Sequence, residues 1–176
     1  MSLGSRKYIV RNANPSEFYQ VGRLMVNVYS QMEGFPKPTE QPDYYKMLTD
    51  VGALTSKPET ELWVAVSSDD HIAGAVVFFG DVKYAGAGGT TGKETNASGF
   101  RLLAVDPMVR RQGIGKLLVN ECVRRSREKK REQVIIHTTR AMQAAWKMYE
   151  NLGFRRSPDL DFMQEELLVF GFRLKL

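Results

Sequence analysis

The residues best suited to chemistry in this sequence form a short basic segment with two closely spaced glycines. An apolar stretch ends at Asp106-Pro107, and a basic run follows as Arg110-Arg111-Gln112-Gly113-Ile114-Gly115-Lys116. Free N–H groups at the start of a helix point outward, and the helix dipole there favours an anion. Glycine lets the backbone approach a bulky ligand closely, and the basic side chains add positive charge. We therefore interpret the segment as a cradle for a pyrophosphate.

Two common phosphate-binding loops do not fit this run. A Walker A loop has four residues between its first glycine and its Gly-Lys-Ser/Thr, whereas only Ile114 separates Gly113 from Gly115 here. Leu117 also follows Lys116, where the Walker A loop has a serine or threonine. The dinucleotide fingerprint fails because Leu118 stands where its third glycine is required. Two glycines alone would fit equally well a tight strand-to-helix turn that binds nothing.

The whole segment is more specific than its glycines. The residues Leu103-Ala104-Val105-Asp106-Pro107, followed by the basic run, closely resemble the acetyl-CoA motif of the GNAT superfamily of N-acetyltransferases. A second block, Ala144-Ala145-Trp146-Lys147-Met148-Tyr149-Glu150-Asn151-Leu152-Gly153-Phe154, resembles the later helix of that family with its Tyr-x-x-x-Gly-Phe ending. Both blocks stand in the family's order, so a chance match is a poor explanation.

The resemblance implies acetyl-CoA as cosubstrate and no metal. In the family the backbone of one central strand binds the pantetheine arm, a bulge splays that strand from the next, and the glycine loop binds the pyrophosphate. The residues implied in cofactor binding are Leu103, Ala104, Val105, Arg110, Arg111, Gln112, Gly113, Ile114, Gly115 and Lys116. The same resemblance implies direct attack by a primary amine on the thioester in a ternary complex.

Tyr149 matches the family's general acid, which protonates the departing thiolate. A phenol has a pKa of about 10 and a thiol a pKa of about 8.5, so a well-placed tyrosine can supply that proton near neutral pH. Its alternative role is packing at a helix end. The resemblance also implies that the Val105 N–H holds the developing oxyanion.

The general base does not follow from the family pattern. Many relatives place a carboxylate on the strand near Phe100, but here Arg101 follows it and no acidic residue stands between Gly99 and Val105. The loose candidates for the base are Glu33, Glu61, Asp81 and Glu94. Met142 also departs from the pattern, because some relatives have asparagine there.

The acceptor is expected to meet the first two helices and the loops 31–41 and 80–99. These segments contain Tyr29, Met32, Phe35, Tyr44 and Tyr45. An aromatic lining would suit an amine with apolar bulk or a cation over a ring, but the same residues could form helix core. The sequence does not separate a small amine, an amino acid, an antibiotic or a peptide N-terminus.

The hydropathy pattern predicts the elements that would position these residues. It predicts strands over 8–11, 61–67, 71–79, 100–105, 134–138 and 167–174, and helices beginning at Pro15 and Pro42 and covering 113–131 and 141–151. The six-glycine stretch 80–99 is predicted to be a loop. We expect one α/β domain over 1–176, with residues 1–5 as a cloning remnant. The resemblance implies a mixed, mainly antiparallel sheet with helices on both faces and acetyl-CoA in a splay between two central strands.

Composition excludes several classes of protein. With 43% hydrophobic and 26% charged residues, the chain is neither collagen-like nor wholly disordered. One cysteine and two histidines exclude an intrachain disulfide and disfavour a zinc site. Cys122 is predicted to pack in the core, and His71 and His137 are predicted to be structural or exposed. The chain has no apolar run as long as a membrane span and no signal-peptide pattern, so we expect a cytoplasmic protein.

The positive charge leaves a second class of function open. The net charge is +5, and residues 110–132 alone carry +6. We interpret the basic run after the glycine loop as a solvated helix end rather than a nucleic-acid site. The alternative function is a non-catalytic acyl-CoA-binding or nucleic-acid-binding module that uses the same loop. A monomer and a homodimer both remain open.

Overall fold

The computed structural model describes residues 7–86, 89 and 91–176. Residues 1–6, 87, 88 and 90 lie outside it, so the proposed remnant at 1–5 and part of the predicted loop 80–99 are not described. No helix in the described part of the chain has the length and apolar character needed to cross a bilayer.

The described chain forms one mixed sheet with helices on both faces, which confirms the predicted fold class. The eight strands are β1 (Tyr8–Asn12), β2 (Thr60–Ser67), β3 (Ile72–Phe79), β4 (Ala97–Val105), β5 (Gln133–Thr138), β6 (Arg155–Arg156), β7 (Phe162–Gln164) and β8 (Leu167–Lys175). Their order is β1-β2-β3-β4-β5-β8-β6, and β7 pairs with β8. Every pair is antiparallel except β4 and β5.

Two apolar clusters hold the helices against the sheet. The helices are α1 (Phe18–Ser30), α2 (Pro42–Thr49), α3 (Ile114–Glu128) and α4 (Gln143–Asn151). One cluster joins α1 and α2 to one face through residues such as Met25 and Leu48. The other joins α3 and α4 to the opposite face and includes Cys122, which is fully buried as predicted. The chain enters α1 through a short 3-10 turn, where the Asn14 N–H donates to Glu17 Oε2 at 2.8 Å.

The two central parallel strands part along their length. Strand β4 pairs with β5 only over Ala97–Gly99, opposite Gln133–Ile135. Beyond that point β4 follows β3, and β5 follows β8. A bulge accompanies the parting, because Ala104 pairs with Ala75 but Arg101 pairs with Val77. Leu102, inside the bulge, has a positive φ of 59°.

The prediction of a loop over 80–99 was wrong at the C-terminal end of this range. Strand β4 already begins at Ala97, and 3-10 turns cover Val82–Tyr84 and Thr91–Lys93. Position 99 of the strand requires a glycine, because a Cβ there would lie 2.6 Å from the carbonyl oxygen of Ile135. A glycine that reads as loop in the sequence is therefore what allows β4 and β5 to pair closely.

Candidate active site

A cavity of about 750 Å³ lies where β4 and β5 separate. Strand β4 lines it from Phe100 to Leu103 and again at Val105, and β5 contributes its last residues. The end of α1, the first half of α4 and the β7–β8 hairpin complete the walls. The gap between the strands is thus open to a ligand that runs along the backbone of β4.

Tyr149 reaches this cavity from α4. Its ring is 5% exposed and packs against Phe100 and Phe154, with ring centroids 5.9 and 5.8 Å away. The Tyr149 hydroxyl has no hydrogen-bond partner within the described residues. Burial raises the pKa of Tyr149 well above that of a free phenol, so the hydroxyl keeps its proton at neutral pH. The Tyr149 side chain therefore packs in the core and keeps its proton, and the raised pKa makes it a weaker acid than a free phenol.

The backbone of β4 faces the cavity at defined positions. The Asp106 N–H donates to the Ala73 carbonyl of the β3 side at 2.8 Å. Because successive residues of a strand direct their N–H groups to opposite sides, the Val105 N–H faces the gap. The side chains of Leu103 and Val105 line the cavity, whereas the Ala104 side chain is buried in the core under α1. By the same alternation the Ala104 backbone faces β3, where it pairs with Ala75, and Ala104 does not line the cavity.

The glycine loop adjoins the end of β4 and opens α3. Gly113 caps the helix with φ 77°, and a Cβ placed there would meet no atom within 4 Å. Gly115 lies close to β4, because a Cβ on it would be 3.7 Å from Val105 Cγ2. The first N–H groups of α3 have no carbonyl partner within the helix and point to this open side. The loop thus presents backbone donors beside the cavity.

The polar side chains of the loop divide between two roles. Arg110 lines the edge of the cavity, and Arg111 and Lys116 are exposed. The Gln112 side chain turns the other way and accepts hydrogen bonds from Tyr8 Oη at 2.7 Å and Lys7 Nζ at 2.6 Å. Gln112 therefore fixes the loop to β1, and the Ile114 side chain is buried.

Three of the four carboxylates considered as bases are engaged away from the cavity. Glu61 binds Arg125 and accepts from the Trp63 indole at 2.8 Å. Asp81 caps a 3-10 turn, and Glu94 forms an ion pair with an arginine of β8. Glu33 is the one of the four that lines the cavity, where its side chain is exposed at the rim.

Most of the apolar and aromatic residues predicted to meet the acceptor both line the cavity and take part in the helix core. Tyr29, Met32, Phe35 and Tyr44 line the cavity and also belong to the core or pack against it. Tyr45 does not line it, because its hydroxyl is directed to the Pro36 carbonyl at 2.6 Å. The wall facing the gap is therefore a connected set of rings.

Residues 24–154 match the Acetyltransferase (GNAT) family. The chain belongs to this family. Among curated protein sequences, no match to the chain is found.

Solved structures share the fold of this GNAT chain at low sequence identity. A GNAT-family acetyltransferase from Staphylococcus aureus Mu50 is 17% identical with a TM-score of 0.72, covering 96% of this chain and 99% of its own. The yncA protein of Salmonella typhimurium, solved with its cofactor acetyl-CoA, is 12% identical with a TM-score of 0.67, covering 97% and 95%. The PaiA N-acetyltransferase of Thermoplasma acidophilum, solved with coenzyme A, is 12% identical with a TM-score of 0.69, covering 94% and 98%.

Sequence reasoning gave His137 no role at the GNAT site, yet it lines the cavity. Gly99 of β4 pairs with Ile135 of β5, so Arg101 and His137 stand at equivalent positions on the two sides of the gap. His137 Nε2 lies 3.1 Å from the Leu160 carbonyl oxygen, which can only accept, and 3.1 Å from Thr91 Oγ1, which can accept as well. Nε2 therefore carries the proton in the neutral ring, and Nδ1 is left as an acceptor. Burial lowers the pKa of His137, and the Arg101 charge acts in the same direction, while the bond to Leu160 opposes them.

Two hydroxyls at the end of β5 were also missed. Thr138 and Thr139 line the cavity and are 2% and 4% exposed, and their Oγ1 atoms have no partner in the described structure. Buried polar groups are almost always hydrogen-bonded, so these oxygens need a partner that the described residues do not supply. The sequence places Thr138 in a strand, but nothing in it indicates that the neighbouring strand moves away. Among the described residues, no group of three His, Cys, Asp or Glu side chains could hold a metal ion.

Proposed function

We propose that this chain transfers an acetyl group from acetyl-CoA to a primary amine of an acceptor. The observation that carries the proposal is the parting of β4 and β5 directly beside the open helix start at Gly113, with the Tyr149 hydroxyl in the same cavity. The fold shared with the CoA-bound Salmonella and Thermoplasma proteins supports it. A small-molecule or peptide amine is the proposed acceptor.

The residues present fit acetyl-CoA. The first amides of α3, with Arg110, Arg111 and Lys116 nearby, suit a pyrophosphate, because backbone donors and positive charge converge there. The backbone from Leu103 to Val105 suits the pantetheine arm, since beyond Gly99 it has lost β5 as a neighbour. The unpartnered Thr138 and Thr139 hydroxyls offer further polar contacts inside the gap.

In the proposed reaction the acetyl group passes directly from acetyl-CoA to the acceptor amine. The acceptor nitrogen forms a bond to the thioester carbonyl carbon, the carbon–sulfur bond breaks, and the thiolate takes the Tyr149 proton. The Val105 N–H faces the carbonyl oxygen as negative charge builds on it. The attacking amine must lose a proton, and among the described residues that line the cavity Glu33 and His137 are the side chains suited to accept it.

Two measurements test the proposal. Acetyl-CoA should raise the melting temperature of the protein, whereas NAD and ATP, which also carry phosphates, should do so far less. A panel of primary amines should then release free CoA from acetyl-CoA, detected with a thiol reagent. Absence of any thermal shift at saturating acetyl-CoA would overturn the proposal at its first step.

No observation favours the nucleic-acid alternative. Arg124 of α3 pairs with Glu121 and Glu128 on the same helix, and Arg125 pairs with Glu61 of β2. Part of the basic run is thus neutralised within the chain, as expected for a solvated helix end.

A further inference from the structure

Arg101 places a positive charge at the gap, and no anion among the described residues balances it. The side chain lines the cavity from β4 and is half-buried. Its guanidinium donates one hydrogen bond, from Nη1 to the Ala85 carbonyl oxygen at 2.5 Å. No carboxylate of the described residues lies within 4.0 Å of it. A guanidinium carries five N–H donors, so most of these donors have no partner in the part of the chain that the structure describes.

The surroundings of Arg101 do not supply the missing anion. Among the described residues that line the cavity, Glu33 is the one carboxylate, and its side chain is exposed at the rim. His137 is neutral at physiological pH because burial lowers its pKa. Burial raises the pKa of Tyr44 to about 12 although the Arg101 charge opposes this, so the Tyr44 hydroxyl remains a neutral donor. The described walls therefore supply no negative charge beside Arg101.

The hydrogen bond from Arg101 to the loop at Ala85 does not explain why a charged side chain stands at the cavity. Lys57 donates to the Tyr84 carbonyl at 3.3 Å, so the carbonyls of residues 84 and 85 are each bound by a cation. Lys57 is exposed, and water can solvate its remaining donors. Arg101 is half-buried, so water reaches fewer of its donors, and an unpaired charge that is partly removed from water is unfavourable. A ligand with a matching anion would remove that penalty.

We propose that Arg101 binds a carboxylate of the acceptor, so that the substrate is an amine that also carries a carboxylate and an apolar or aromatic side chain. The planar guanidinium matches a carboxylate with two parallel hydrogen bonds, which fixes the orientation of the acceptor. The rings of Tyr29, Phe35 and Tyr44 suit the apolar part. This inference rests on the proposed acetyltransferase function and names its substrate class.

Matched pairs of acceptors test the inference on the wild-type protein. L-phenylalanine, L-leucine and L-methionine are each compared with their carboxamides, with release of CoA as the readout. The carboxamide lowers the amine pKa and leaves more of the amine neutral, so a preference for the acid cannot come from amine reactivity. We expect kcat/KM to favour the acid by about 10- to 100-fold, the range of a charge-assisted pair. Equal or better use of the carboxamides would overturn the inference.

Three variants separate recognition from loop support. Arg101→Met should abolish the acid-to-amide preference, and Arg101→Lys should keep part of it because the charge remains without the planar fork. Lys57→Met removes the neighbouring loop contact and should leave the preference unchanged. If Arg101→Met fails to fold, the acid-to-amide comparison on the wild type and on Arg101→Lys still tests whether Arg101 recognises the carboxylate. An unchanged ratio in Arg101→Lys and Arg101→Met would assign Arg101 to loop support alone.

The same samples distinguish failure of this inference from failure of the proposed function. Stabilisation of the wild type by acetyl-CoA, with no CoA released by any acid of the panel, would overturn the carboxylate inference and leave cofactor binding intact. Absence of stabilisation by acetyl-CoA would overturn the acetyltransferase proposal itself, and the inference would fall with it.

Discussion

The hydroxyl of Tyr29 donates a hydrogen bond of 3.0 Å to the carbonyl oxygen of Leu103, which joins α1 to the bulge of β4. The bond is shielded from solvent, and burial raises the pKa of Tyr29 so that the phenol stays a donor. Leu103 follows Leu102, whose φ of 59° is unusual for a leucine. The contact therefore holds the strand segment whose backbone we propose binds the pantetheine arm.

Tyr29→Phe should weaken both the fold and the binding of acetyl-CoA. Loss of one buried bond should lower the free energy of unfolding by about 1–3 kcal/mol, measured by urea denaturation. The freed Leu103 carbonyl should let the bulge relax and raise the Kd for acetyl-CoA by about tenfold, measured by titration calorimetry. Tyr45→Phe is the matched control, because it removes a bond to the Pro36 carbonyl away from the gap. Equal Kd values for the two variants would contradict this role of Tyr29.

Gly113→Ala should impair the glycine loop at the cofactor. At φ 77° an alanine is strained by about 1–2 kcal/mol, and its methyl group would project into the open side where the pyrophosphate is proposed to lie. We expect the Kd for acetyl-CoA to rise by about tenfold or more. Gly153→Ala is the control, since its φ of 98° imposes strain but its Cβ would face Leu174. Loss of stability in both variants, with unchanged acetyl-CoA affinity in Gly113→Ala, would argue against the loop as the pyrophosphate site.

Local patterns in the sequence were enough to predict most elements. The apolar spacing from Phe18 to Tyr29 predicts α1, and the Asp-Pro stop with the glycine loop predicts the β4–α3 junction. Both depend on neighbours within a few residues, so hydropathy and turn chemistry determine them. The short strands β6 and β7 were missed, because two or three residues carry no periodic signal.

The walls of the site could not be predicted from local patterns. The gap depends on the register of Gly99 against Ile135, two residues far apart in the sequence. That register brings Arg101 and His137 to opposite sides of the cavity, although neither belongs to a motif. The unpartnered Thr138 and Thr139 oxygens likewise follow from the loss of a neighbouring strand, which no single segment encodes.

The imidazole of His137 should titrate below the usual range of histidine. Burial lowers the pKa of His137, so the folded state favours the neutral ring. Below about pH 6.5 this histidine binds a proton more readily in the unfolded chain than in the folded one, so the free energy of unfolding should fall as the pH falls. The chain has two histidines, so two-dimensional NMR with a His71→Gln variant assigns the signals. The pH dependence of unfolding in this acidic range should flatten in His137→Gln. A His137 titration midpoint at or above that of a free imidazole would contradict the buried, neutral state.

Tyr149→Phe should cut turnover and spare cofactor binding. The variant keeps the ring that packs against Phe100 and Phe154 but removes the proton that the thiolate would take. We expect kcat to fall by about 10²- to 10⁴-fold, with little change in the Kd for acetyl-CoA. Because burial raises the pKa of Tyr149, the wild-type to variant ratio should stay constant from neutral pH up to about 10, the titration of an ordinary phenol. Tyr19→Phe, at an exposed tyrosine, controls for loss of a hydroxyl, and a Tyr149→Phe enzyme as fast as that control would reject Tyr149 as the acid.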